Sequence, residues 1–309
     1  MAALEVHLLR EGILESVHRC EAVVSDHRGR VLSRNVGDDR ATFMRSSMKP
    51  FQAFAVLNTG AAQAFSMGEA DLALMCSSHA GEMIHARRVF AMLWRMGLDP
   101  ASLSCPIPTG KESPLQHNCS GKHSGMLAAC LQQGWPTLDY ADRRHPVQQL
   151  IANTVAELLS MPVDELILAK DDCGVPTFQL QLQQMAWLYA QLSEGRLPTL
   201  EILARAMVHE PKMVAGEGRF DTLLMEMSQG AVVSKAGAEG VQCIGRMGEG
   251  MGLAVKVIDG ASRAKNPVVI HLLRQLGWIE PDVADTLNDH FGLLNPQQRL
   301  EVVGELELL

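Results

Sequence analysis

The sequence predicts an α+β fold, and three observations predict it. Residues Glu21 to Asn35 hold two β-rich runs about a polar turn, Asp26-His27-Arg28-Gly29, which reads as a hairpin. A long middle stretch places apolar residues at helical spacing. Residues Gly230 to Asp259 return to short strands divided by glycines. Strands near both ends around a helical middle give the α+β class.

Within the middle, Phe51 to Leu57 and Glu69 to Met75 read as helices. Glu82 to Met96 is a stronger case, with Ile84, Val89, Met92, Leu93 and Met96 near helical spacing and Gly97 as the stop. Ser104 to Lys122, rich in Pro, Gly, Ser and His, reads as an irregular loop of the kind that often carries function. Helices are expected at Ser124 to Gln133, His145 to Leu159, Thr177 to Ser193 and Leu200 to His209. Strands follow at Ala231 to Val233, Val241 to Ile244 and Leu253 to Ile258. Gly248-Glu249-Gly250-Met251-Gly252 joins two of these strands and opens no helix, so it reads as a hairpin turn rather than a phosphate cradle. Asn266 to Leu276 returns to helix, and the acidic tail is expected to pack as a strand. Residues 1-309 are expected to form a single domain, without internal repeats or a low-complexity linker.

A 309-residue chain with 47% apolar residues can bury a substantial core. Its formal charge of −8, with no basic run interleaved with aromatics, argues against nucleic-acid binding. Met1 to Cys20 mixes charged residues among its apolar ones and lacks the apolar core of a secretory signal. No stretch of 18 apolar residues occurs, so no membrane span is expected. The seven cysteines are odd in number and irregularly spaced. They read as thiols in a reducing, cytoplasmic setting.

Three constellations carry candidate chemistry. In Arg45-Ser46-Ser47-Met48-Lys49-Pro50, a lysine three residues after a serine can reach its hydroxyl from the same face of a helical turn. The amine acts as a base only when neutral, which requires burial or nearby positive charge, and Arg45 supplies such charge. Pro50 disfavours helical angles at Lys49, which points to a turn rather than a regular helix. An isolated Ser-x-x-Lys match is more often a helix start with a surface lysine. In Cys76-Ser77-Ser78-His79-Ala80-Gly81-Glu82, Ser78 is either a second reactive hydroxyl or a helix cap beside a surface histidine. The third is His117-Asn118-Cys119-Ser120-Gly121-Lys122-His123 with Asp171-Asp172-Cys173-Gly174. It offers thiolate, imidazole and carboxylate for a zinc site, at spacings that match no standard ligand set. Each cysteine alone is more often a small buried apolar group. The 17 methionines read as filling for irregular core space.

These blocks, followed by Lys235-Ala236-Gly237-Ala238-Glu239-Gly240, occur in one order from residue 45 to 240. The chain resembles the rhizobial-type (class 3) L-asparaginases, the asparaginase II family. The resemblance implies a fold like that of serine β-lactamases and penicillin-binding proteins, with an antiparallel sheet and a helical region. It implies a homodimeric amidohydrolase that converts L-asparagine to L-aspartate and ammonia. It further implies two serine–lysine tandems, Ser46 with Lys49 and Ser78 with Lys235, with Lys256 as the fallback for the distal lysine. Cys119, Lys122 and Cys173 match the family's zinc ligands, and a lysine ligates only once the cation has displaced its proton. Arg45, His123 and Asp171 match residues around substrate and metal. Met48 departs from the small residues of the Ser-x-x-Lys interior.

On this reading Ser46 is the nucleophile and Lys49 its base, with the two serines able to exchange roles. Zinc orders the cysteine loops and helps to seat the substrate. The alternatives are a glutaminase, since one methylene gives modest discrimination, a hydrolase using zinc-bound hydroxide, and an amino-acid-binding regulatory protein without catalysis.

Overall fold

The computed structural model describes residues 3–35 and 40–308. It combines α-helix with antiparallel sheet, as the α+β expectation requires. The chain packs as two compact units, one made of Met1–Ser47, Leu180–Arg196 and Leu223–Leu309, the other of Met48–Gln179 and Leu197–Thr222.

The first unit is built on a sheet whose strands run in the order Leu293–Asn295, Gln298–Val303, Leu4–Arg10, Ile13–Asp26, Met251–Val257, Val241–Arg246, Val232–Gly237. The neighbouring strands given a register are antiparallel. The expected hairpin forms between Ile13–Asp26 and Val31–Arg34, and the glycine-rich turn joins Val241–Arg246 to Met251–Val257. Gly248 and Gly250 take left-handed angles in that turn (φ +78° and +60°). The helix Leu182–Glu194 lies against the sheet so closely that a Cβ on Gly252 would stand 2.0 Å from the Ala186 carbonyl oxygen. The helix Ser262–Gln275 packs on the same strand, and both faces of that strand are buried. Strand Leu4–Arg10 and helix Pro281–Phe291 add elements beyond those expected, while the tail strand forms as Gln298–Val303.

The second unit is helical. Helices Lys49–Leu57, Glu69–Met75, Met83–Arg95, Pro146–Leu158 and Pro198–His209 fall within a few residues of the expected spans. Helix Ser120–Gln133 begins four residues earlier than expected, so the polar block ends in a helix rather than in a loop. Eleven consecutive residues of it, Ser120 to Cys130, are buried. A helix buried on every side lies within the core rather than on it. Glycines make this possible, since a Cβ on Gly121 would stand 2.0 Å from the Leu74 carbonyl oxygen and one on Gly125 would stand 2.9 Å from Met75. Asp71, fully buried, ties Glu69–Met75 to Met83–Arg95 through Arg88 (2.5 Å) and Arg95 (2.7 Å).

One expected helix is corrected. Thr177 to Gln181 is a strand, Pro176–Gln181, paired antiparallel with Ile167–Lys170, and the helix starts only at Leu182. The β-branched and aromatic pair Thr177-Phe178 suits a pleated surface, and a ladder partner ten residues upstream decides the local contest. Among the described residues no helix is long and apolar enough to cross a membrane.

Gly121→Ala tests the close approach. The clash is with backbone, which no rotamer relieves, so a loss of about 1–3 kcal/mol in denaturant unfolding is expected, with reduced activity in the folded fraction. Wild-type stability would show that the two helices are not in backbone contact.

Candidate active site

Lys49 is the first residue of its helix, followed by Pro50. Proline is tolerated there because the first-turn N–H groups lack helical acceptors. Lys49 is thus helical, against the bias expected from Pro50, while the residues before it, Arg45–Met48, form a short 3-10 turn. Arg45 takes a left-handed angle (φ +52°), an uncommon conformation for a residue with a side chain. The Ser47 hydroxyl donates to the Met44 carbonyl at 2.7 Å, and the Tyr189 hydroxyl donates to the Ser47 carbonyl at 2.6 Å, which fixes this stretch of backbone. Ser46 sits half-buried on the turn.

The Lys49 side chain is wholly buried. Its Nζ donates to the carbonyl oxygens of Ser77 (2.5 Å) and Asn118 (3.1 Å) and stands 3.0 Å from Ser78 Oγ. Burial holds this amine below the ordinary lysine value, partly opposed by Cys119 and reinforced by Lys122. The Cys119 thiol is a further hydrogen-bond partner of the same amine, so Lys49 meets two carbonyls, a hydroxyl and a thiol at one point. Ser78 follows the end of helix Glu69–Met75 and is anchored by its N–H to the Val214 carbonyl at 2.8 Å. It does not cap the next helix, whose N-cap is Glu82.

His79 is buried rather than exposed, and both ring nitrogens are engaged. Its Nδ1 accepts the Gly81 N–H (3.0 Å), so Nε2 carries the proton and donates to Ser120 Oγ (2.9 Å). Ser120 in turn donates to the Leu115 carbonyl. Burial, then His85, holds His79 well below the ordinary histidine value.

Cys119, Lys122 and His123 fall on one face of the helix Ser120–Gln133 and its cap, at positions i, i+3 and i+4. Cys173 stands in the tight turn between Ile167–Lys170 and Pro176–Gln181. The turn closes through Asp171 N–H to Val175 O (2.9 Å) and Gly174 N–H to Asp171 O (2.8 Å), and Gly174 has φ +94°. The turn brings the two thiols into hydrogen bond, and Lys122 bonds Cys173 as well. The bond from Cys173 pulls Cys119 well below the ordinary thiol value, against burial and with help from Lys49 and Lys122. The same bond, with burial, pushes Cys173 up. Burial would lower Lys122, but Cys119, Cys173 and Asp171 raise it above the ordinary value. Cys119, Cys173 and Lys122 thus form one hydrogen-bonded group, with Cys173 bonded to both of the others. Its donors, two sulfurs and an amine, suit a thiophilic cation once the protons are displaced. Among the described residues no three His, Cys, Asp or Glu side chains gather into a metal cluster, and a two-thiol, one-amine set lies outside that ligand class.

His123 is wholly buried, and burial pushes it down to about 3. Tyr140 OH accepts the Ser104 N–H (2.9 Å) and is hydrogen-bonded to His123 Nδ1 (2.7 Å). The His123 Nε2 has no hydrogen-bond partner among the described residues. Tyr140 escaped the sequence reading because nothing in its neighbourhood marks it.

Lys235 lies in the first unit on strand Val232–Gly237, wholly buried, with Nζ donating to the Ala236 carbonyl at 2.8 Å. Lys256, the fallback, gives its amine to the carbonyls of Glu239 (2.6 Å) and Val257 (2.5 Å).

No curated protein matches the chain. The family model described as L-asparaginase II matches residues 6–308, nearly the whole length. That description supports an amidohydrolase acting on a small-molecule substrate, and the chain belongs to the L-asparaginase II family.

Proposed function

We propose that the chain hydrolyses L-asparagine to L-aspartate and ammonia through a serine activated by Lys49. The observation that carries this reading is the 3.0 Å contact between a wholly buried amine and Ser78 Oγ. Neutral Lys49 takes the Ser78 proton as Oγ attacks the side-chain amide carbon. Charge develops on the amide oxygen and must be met by preorganised N–H or O–H donors. The amide nitrogen leaves as ammonia, taking the proton that Lys49 received. A water then gives its proton to Lys49 and attacks the acyl ester, releasing aspartate and Ser78. This exchanges the roles expected of the two serines. Ser46, with Arg45, belongs to the turn that leads into Lys49.

Cys119, Cys173 and the neutral amine of Lys122 would hold a zinc ion, which supplies a fixed positive charge when bound. Asp171 is assigned to the substrate ammonium, and His123 Nε2, buried and without a partner among the described residues, is assigned to a polar atom of the substrate. The family resemblance also supports a homodimer.

Ser78→Ala is expected to cut kcat for ammonia release from asparagine by about 10³-fold or more, and Lys49→Met by about 10²–10⁴-fold, with thermal unfolding run on both. Ser46→Ala run beside them separates the serines. If Ser46→Ala abolishes turnover while Ser78→Ala keeps it, the nucleophile is Ser46. Near-normal turnover in all three variants removes serine–lysine chemistry.

Elemental analysis of the same sample should find about one zinc ion per chain. Cys173→Ser should lose most of it, and metal retained in full by that variant would place the ion elsewhere.

A further inference from the structure

Gln52 lies three residues after Lys49 on the same helix and is 1% exposed. Neither its amide oxygen nor its amide nitrogen has a hydrogen-bond partner among the described residues. Buried side-chain amides are nearly always bonded, and an apolar side chain of this length would fill the same space without the penalty. The crevice beside Gln52 is lined by Ala53, Val56, Met75, Lys122 and Met126 and is too narrow for a water molecule. Among the residues lining it, Lys122 is the one polar neighbour of the amide.

A lysine amine that gives its lone pair to a metal ion keeps two N–H groups, and a buried site must supply acceptors for them. Groups that hold a ligand's remaining N–H fix the direction of its lone pair, and losing one typically weakens metal affinity. We propose that Gln52 is a positioning residue for Lys122: its amide oxygen accepts an amine N–H and turns the lone pair toward the ion held with Cys119 and Cys173. This rests on the metal role proposed above for Lys122. The unbonded amide is then the half of a contact that the bound ion completes.

The test compares the zinc affinity of wild type, Gln52→Leu and Gln52→Glu by competition with a chromogenic chelator, alongside thermal unfolding of the metal-free proteins. Gln52→Leu should bind zinc about 10–100-fold more weakly. Its metal-free form should melt no lower than wild type, because it buries no unbonded amide. Gln52→Glu keeps an oxygen acceptor and should retain wild-type affinity. Gln52→Met, apolar and more pliable, serves the same comparison if the leucine variant does not fold. Equal zinc affinity in wild type and the apolar variant overturns the Gln52 assignment and leaves the metal site standing. A wild type that binds no zinc overturns both.

Discussion

An amine buried among carbonyl oxygens is held by geometry on every side, and Lys49 is such an amine. Its two carbonyl partners come from separate segments, Ser77 after the helix Glu69–Met75 and Asn118 before the helix Ser120–Gln133. Both segments must therefore be fixed relative to the start of a third helix. Desolvation lowers the hold of this amine on its proton, and the contacts that tie the three segments together also bring it to 3.0 Å from Ser78 Oγ.

Backbone proximity delivers those segments. Gly121 lets the buried helix touch the Leu74 carbonyl, so the start of that helix, with Cys119 and Lys122, is set directly against the chain leading to Ser77 and Ser78. The ion pairs of Asp71 hold the same short helix from its other side chains, although each arginine is about a third exposed and contributes modestly. Reactive groups at the ends of packed helices keep their spacing better than groups on free loops. A bulkier residue at position 121 would disturb chemistry and packing together.

Much of the helical unit was legible because its apolar residues repeat at helical spacing, as in Glu69–Met75 and Met83–Arg95. Thr177 to Gln181 was not, because its apolar residues fit either period and only pairing with Ile167–Lys170 decides between them. In the site, Lys49, Ser78, Cys119, Lys122 and Cys173 stood out as reactive types in polar blocks. Their partners did not. The carbonyls of Ser77 and Asn118 are backbone atoms that every residue has, and Tyr140 meets His123 across a separation no motif records. What the motif did not show is that the hydroxyl in hydrogen-bond contact with Lys49 is that of Ser78, twenty-nine residues away.

Several of the unbonded buried polar atoms belong to residues next to the reactive ones. Gln52 follows Lys49 by one turn, Ser77 supplies the carbonyl that Lys49 bonds while its own hydroxyl is without a partner among the described residues, and His123 follows Lys122. Burial alone does not produce this pattern. His79 is buried in the same region, yet Gly81 and Ser120 satisfy both of its nitrogens. Each unmade hydrogen bond costs about 1–3 kcal/mol, and the four atoms concerned, two on Gln52 and one each on Ser77 and His123, are difficult to explain as packing. They are intelligible if the region is completed by what it binds, so that stability forgone in the free protein returns as binding free energy for ion and substrate.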